Sequence, residues 1–196
     1  MQGMFSNDGS LVSPQFNQDL SLWDVSNLDD SYYFNGSMEF MFSNAESFNN
    51  GGSPNISGWT LSPLVTSLDG MFFNSGFNQS IDAWDVSNIT NMSSLFGNTS
   101  VFNQPLNSWN MSGVTDMQGM FSNSLSFNQP LNNWDTGNVT NMIDMFSNDV
   151  TTAFNQDIGS WDVGNVTTMR RMFWENTTFS QYLGGWNVSG VTTMSN

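Results

Sequence analysis

The amino-acid sequence predicts an α/β solenoid of about seven stacked coils, because one pattern of large apolar residues recurs along the whole chain. A Trp recurs seven times in one local context, at successive spacings of 36, 25, 25, 25, 27 and 25 residues. A Leu or Ile precedes each of these Trp residues by three positions, and a Met-Phe pair follows in most units. We expect these Trp residues to form the core of the repeat: Trp23, Trp59, Trp84, Trp109, Trp134, Trp161 and Trp186.

The first half of each unit predicts a short strand. In "LNNWDT", residues 131–136, Leu131, Trp134 and Thr136 are spaced like the L-x-x-L-x-L core of leucine-rich repeats. The W-x-T part alternates with the period of a strand. Asn138 follows where an Asn of leucine-rich repeats caps backbone groups as the chain leaves the strand. We therefore expect leucine-rich-repeat-like coils with parallel strands.

The second half of each unit predicts a helix of about two turns. In "VTNMIDMF", residues 139–146, Val139, Met142, Met145 and Phe146 fall on one face of a helix, and Thr140 is a candidate N-cap. Each coil is thus expected to contain a short parallel strand, a turn, a short helix and a loop. Because one coil cannot bury its own large side chains, neighbouring coils must supply the rest of the core.

A Phe-Asn-Gln motif precedes the Trp in most coils, as at Phe102-Asn103-Gln104 and Phe127-Asn128-Gln129. The Phe is expected in the core. The Asn and Gln carry both donors and acceptors, so we expect them to hydrogen-bond between coils rather than to form a ligand-binding row.

Residues 1–196 are predicted to form a single repeat domain, because the pattern runs through the whole chain. Two insertions interrupt it, "DDSYYFNGS" at residues 29–37 and "GGSP" at residues 51–54, and they lie in neighbouring coils. The sequence starts with "MQGMF" and ends with "VTTMSN", both of which are pieces of the repeat. We interpret it as a slice of a longer array, with head-to-tail stacking of subunits as the alternative.

Composition excludes several classes of function. Only 10% of the residues are charged, and the formal net charge is −15. Such a chain has no basic surface for nucleic acid and is repelled by anionic membranes. It contains neither Cys nor His, so disulfides, thiolate chemistry and His-based proton transfer are absent. No apolar run is long enough to span a membrane.

The consensus "W-D-V-S-N-V-T-x-M-x-x-M-F…F-N-Q" resembles the roughly 25-residue repeat of the BspA-like leucine-rich-repeat surface proteins, most clearly from Phe77 to Met194. The resemblance implies a leucine-rich-repeat-like fold, display at the cell surface or outside the cell, and a role in adhesion or surface architecture. It implies no catalytic residue. No cofactor is expected from the sequence, with calcium as the one candidate. The insertions depart from this pattern.

Four carboxylates directly after a Trp are candidate calcium ligands: Asp24, Asp85, Asp135 and Asp162. Stacked coils would bring them into a row, and calcium prefers about six to eight oxygen ligands. The alternative is a solvent-facing position, where the Asn of other coils relieves repulsion between like charges. No EF-hand loop is present to favour calcium.

N-x-[ST] triplets are frequent because the repeat is rich in Asn, Ser and Thr. Three that lie in an insertion or a variable loop are candidate glycosylation sites: Asn35, Asn98 and Asn176. The others arise from the repeat itself.

The sequence therefore predicts a non-enzymatic structural or adhesive repeat protein outside the cell, associating with itself or with other surface proteins. The alternative is a surface module that binds calcium or carbohydrate. Exposed aromatic residues in a concave patch would favour this alternative, and Trp174, which lies out of phase with the other Trp residues, is a candidate for one.

Overall fold

A computed structural model describes residues 4–5, 16–28, 38–49, 51, 56–149 and 153–195. The insertion at residues 29–37 lies outside the described residues, and so do residues 52–54 of the second insertion. The coils stack on one another in sequence order, as parallel backbone bridges join residues that lie 24 to 27 positions apart.

The prediction of a strand and a helix in each coil is wrong. Across the described ranges, the one helical element is a three-residue 3-10 helix, Ile56–Gly58. In the part of the chain that the structure describes, strand-like pairing consists of single-residue parallel bridges between coils: Ser67–Asn91, Asn91–Asp116, Asp116–Asn141, Asn141–Thr168 and Thr168–Thr193. The chain is therefore not a regular α/β solenoid but a stack of coils built almost entirely from turns.

Left-handed backbone conformations prevent the predicted helix. In residues 139–146, Asp144 has a φ of 55°, which an α-helix cannot accommodate. The N–H groups of Asp144 and Phe146 donate to the backbone oxygens of Arg170 and Met172 in the next coil, at 2.9 and 2.8 Å. Backbone hydrogen bonds between coils thus alternate with three-residue turns within the segment, such as the one from Met145 N–H to the Met142 oxygen at 3.4 Å, and this is not the ladder of an α-helix. The corresponding residue is also left-handed in other coils: Phe40, Gly70, Ser94, Gly119 and Arg171.

Thr140 does not cap a helix. Its N–H and its Oγ1 both donate to the backbone oxygen of Thr115 in the preceding coil, at 2.9 and 3.2 Å. The predicted strand at residues 131–136 is instead a turn, closed by a hydrogen bond of 3.2 Å from Trp134 N–H to the Leu131 oxygen. A second turn is closed from Val139 N–H to the Thr136 oxygen at 2.9 Å.

Stacked rings fill the core. Phe121 and Phe127 of one coil lie 4.1 Å apart between ring centroids, and each ring also stacks on its equivalents in the coils on either side. Such contacts make two continuous rows of Phe through the molecule, at centroid spacings of 5.5 to 6.2 Å. Burial of these rings supplies most of the apolar driving force for stacking.

The Trp residues form a third row. Five of the seven are buried, namely Trp59, Trp84, Trp109, Trp134 and Trp161, whereas Trp23 and Trp186 are partly buried against the core. From Trp59 onward, each indole Nε1 donates to the backbone oxygen of the Leu or Ile three residues before the Trp of the preceding coil, at 2.9 to 3.2 Å. A buried indole N–H requires such a partner.

The Phe-Asn-Gln motif makes the predicted hydrogen bonds between coils. Asn103 Oδ1 accepts from Asn128 N–H at 3.0 Å and from Gln129 Nε2 at 3.0 Å. The same pattern links Asn78 to Asn103, Asn128 to Asn155, and Asn155 to Ser180. On this side of the coils, side-chain amides make the hydrogen bonds between coils that a strand ladder would otherwise make.

Candidate functional site

The four candidate calcium carboxylates are exposed, and each accepts a hydrogen bond from its own turn. Oδ1 of Asp24, Asp85, Asp135 and Asp162 accepts from the N–H two residues later, at 2.9 to 3.1 Å. Asn110 and Asn187 make the same contact at the equivalent positions, at 3.2 Å in each case. The choice of Asp or Asn after the Trp is therefore explained by an Asx turn, which needs only a side-chain oxygen.

Hydrogen bonds from Ser26 hold the pKa of the Asp24 carboxyl below its ordinary value, and those from Ser87 act in the same way on the pKa of Asp85. Within the part of the chain that the structure describes, no three Asp or Glu side chains are grouped so that they could hold a metal ion. Calcium binding by this row therefore draws no support from the geometry.

The candidate glycosylation sites differ in accessibility. Asn35 lies outside the described residues. Asn98 is exposed in a left-handed conformation, and its backbone N–H donates to Ser122 O at 2.7 Å. Asn176 is buried, and its Oδ1 accepts from Phe179 N–H at 3.2 Å. In the folded chain, Asn98 presents its side chain to solvent and Asn176 does not.

The outer face of the last described coil is apolar. Val188 and Met194 are 41% and 54% exposed, whereas Val163 and Met169, their equivalents one coil earlier, are 1% and 6% exposed. The residues of this end face line an open hollow of about 450 Å³: Met169, Met172, Phe173, Leu183, Gly184, Trp186, Val188 and Met194. We call this surface the end face.

A second concave surface runs across several coils on the side that carries the left-handed residues. Its volume is about 300 Å³, and Phe73 and Trp174 lie along its lining with polar side chains between them. We call it the polar groove, and its residues are Phe73, Ser94, Gln118, Gly119, Ser122, Asn123, Asp144, Ser147, Asp149, Arg171 and Trp174.

Arg171 and Asp144 form a bidentate ion pair in the polar groove, with Nε to Oδ1 and Nη2 to Oδ2 distances of 2.8 Å. The hydrogen bond to Asp144 raises the pKa of Arg171 above its ordinary value. Of the groove residues, the sequence predicted only Trp174 as a candidate contact. The visible signal was that Phe73 and Trp174 stand directly after a Phe, where the other coils have Ser or Gly.

These features define a repeat protein whose coils are held together by rows of aromatic rings and amide side chains. A family model described as "Mycoplasma protein of unknown function, DUF285" matches residues 1–62, 36–151 and 109–196, so the overlapping matches cover the whole chain. The chain belongs to this family. The resemblance to BspA-like proteins is thereby supported only at the level of a repeat family.

No curated protein and no solved structure matches this chain. In the ranges that the structure describes, no helix has the length and apolar character needed to cross a membrane.

Proposed function

We propose that this chain is a non-enzymatic structural or adhesive protein outside the cell, and that a further coil stacks on its end face, supplied either by a continuation of the same chain or by another copy of it. The end face carries the proposal. In the preceding coil, the residues equivalent to Val188 and Met194 are buried by the coil that packs on them. A further coil would bury Val188 and Met194 in the same way.

The opposite end of the described stack offers the matching rings. Phe5 stacks on Phe16 and Phe42, with centroid distances of 4.3 and 5.5 Å, and Trp23 lies against Phe5 at 5.4 Å. Phe5, Phe16 and Trp23 are partly buried against the core, and Phe42 is a buried member of it. Because the two ends differ, the contact is heterologous, and repeated contacts of this kind generate a filament.

The composition supports a location outside the cell. A surface made mainly of Asn, Ser, Thr and Gly side chains carries few charges, and the exposed Asn98 offers a glycan acceptor. The repeat also argues against catalysis, because a catalytic site is a singular set of residues and most coils repeat the same ones.

Sedimentation velocity over a range of protein concentrations tests the association. We expect assembly that grows with concentration and strengthens in added salt, since salt screens repulsion between chains of net charge −15. Val188→Glu together with Met194→Glu should abolish it, whereas Leu22→Glu, at a residue that is 96% exposed, should not. A chain that stays monomeric at all concentrations would contradict end-to-end association.

Location is tested separately, on intact cells of the source organism. Protease added outside the cells should remove the native protein while a cytoplasmic marker survives. Survival of the protein together with the marker would contradict display at the surface.

A further inference from the structure

We propose that the polar groove is a binding site for a neutral saccharide, with Trp174 as its principal contact. The groove shares no lining residue with the end face, although Trp174 directly follows Phe173 of the end face in the sequence. The proposal rests on the shape of the groove, on the fixed orientation of its polar groups, and on its exposed indole.

The groove exists because two aromatic residues interrupt a row of small ones. Directly after the Phe of five successive coils, Phe73 and Trp174 flank the small residues Gly97, Ser122 and Ser147. The small residues between the two aromatic ones leave a trough, which is deepened by Ser94 and Gly119 in the adjacent row of left-handed residues. A volume of about 300 Å³ is at the lower end of small-molecule sites.

The polar side chains of the groove hold one another in place. Besides the ion pair between Arg171 and Asp144, Asn123 Nδ2 donates to Asp149 Oδ2 at 3.1 Å, and Asp149 N–H donates back to Asn123 Oδ1 at 2.7 Å. The hydroxyls of Ser122 and Ser147 lie 3.0 Å apart. Side chains fixed in this way bind a ligand without losing further conformational entropy.

These groups match the hydroxyls of a sugar. Carboxylate and amide oxygens accept from hydroxyls, and guanidinium and amide N–H groups donate to them, so both senses of hydrogen bond are available. The indole of Trp174 is 40% exposed. Its electron-rich face attracts the partly positive C–H groups of a pyranose ring.

Charge excludes the main competing ligands. Asp144 balances Arg171, whereas Asp149 has no cationic partner among the groove residues. The chain's two cations, Arg170 and Arg171, lie beside Trp174, but the carboxylates of Asp144 and Asp149 balance them, and the net charge of −15 disfavours an anionic ligand such as a phosphate or an acidic glycan. The lining is mainly polar, which disfavours a lipid or another apolar ligand.

Isothermal titration calorimetry of the full chain with maltotriose, cellotriose and triacetylchitotriose tests the proposal. We expect saturable binding of at least one of them. Trp174→Ala should weaken that binding by roughly tenfold, as the loss of a main contact residue does. Tyr182→Ala is the matched control, because Tyr182 is an aromatic residue with 81% exposure that does not line the groove.

Filling the groove provides a second variant that does not remove an aromatic ring. A Cβ at Gly119 would lie 3.4 Å from Ser94 Oγ and 3.9 Å from Ser122 Cβ, which are ordinary contacts. Asn tolerates the left-handed backbone at this position, so Gly119→Asn should fold and block binding. Saccharide binding that survives in both Trp174→Ala and Gly119→Asn would overturn the proposal, as would the absence of binding to all three sugars.

Discussion

The indole Nε1 of Trp134 donates a hydrogen bond of 2.9 Å to the backbone oxygen of Leu106 in the preceding coil. The same oxygen accepts from Trp109 N–H at 3.2 Å, which closes the turn of its own coil. The Leu106 oxygen thus closes the turn within its own coil and also links that coil to the next one. Trp is required here because no other apolar side chain combines this volume with a donor.

Replacing Trp134 by Phe should lower the free energy of unfolding by about 2 kcal/mol, since the change removes a buried hydrogen bond and leaves a cavity. Denaturant unfolding measures the effect. Trp174→Phe is the control, because that side chain is 40% exposed, and it should change stability by less than roughly 0.5 kcal/mol. Equal unfolding midpoints for the two variants would contradict a stabilising role for the indole bond.

Asn103 belongs to the row of amide side chains that link neighbouring coils, and its substitution tests how much this row contributes to stability. In Asn103→Ala, Asn128 N–H and Gln129 Nε2 lose their acceptor at Oδ1, and we expect a loss of about 2 kcal/mol in the free energy of unfolding. Asn103→Asp keeps an oxygen at this position and should lose less. The exposed Asn132, changed to Ala, is the matched control. If Asn103→Ala and Asn132→Ala were equally stable, the amide row would not hold the coils together.

Asp69 links stability to pH. Burial, and then the nearby Glu39 and Asp116, raise the pKa of its carboxyl from 3.8 to about 6. Between these values the folded chain keeps a proton that the unfolded chain has released, so this group's contribution to stability falls as the pH rises from about 4 to about 6. Above that window the ionised carboxylate destabilises the fold.

Asp69→Asn should therefore stabilise the chain at pH 7, by about 1 kcal/mol once solvent screening of this half-buried group is allowed for. It should have no such effect at pH 3.5. Thermal unfolding at both pH values measures the difference, and Asp157→Asn, at an exposed carboxylate, controls for the change in net charge. A gain of equal size at both pH values would contradict the pH linkage.

The periodicity of the large residues predicted the core well. Trp134, Phe127 and Phe146 all pack where a stacked repeat requires them, because burial depends on which residues face inward and the spacing specifies this. The same spacing misled the assignment of secondary structure. Val139, Met142, Met145 and Phe146 face inward along a series of turns just as they would on a helix.

The residues with left-handed backbone conformations include a sequence signal that the helix prediction overlooked. Gly70 and Gly119 share their phase in the repeat with Ser94, Asp144 and Arg171, so the two Gly residues were a signal that a helix does not fit. Two residues after the buried Phe, an Asn recurs at Asn44, Asn74, Asn98 and Asn123, all with positive φ. The two aromatic residues of the polar groove were visible in the sequence, but its polar lining was beyond prediction, since that lining depends on which short side chains become neighbours once the coils stack.

Ser94 distinguishes the observed backbone from the predicted helix. In a helix, Gly at this position would be less stable than Ala by about 1 kcal/mol. In the left-handed conformation, with a φ of 52°, Gly should instead be more stable than Ala by about 1 kcal/mol, because Ala carries a Cβ that clashes there. Ser93 is the control: it is not among the residues with positive φ, so Ala should be more stable than Gly at that position. Denaturant unfolding of the Ala and Gly variants at Ser94 and Ser93 measures both stability differences. If the Ala variant were the more stable one at both positions, the left-handed turn at Ser94 would be contradicted.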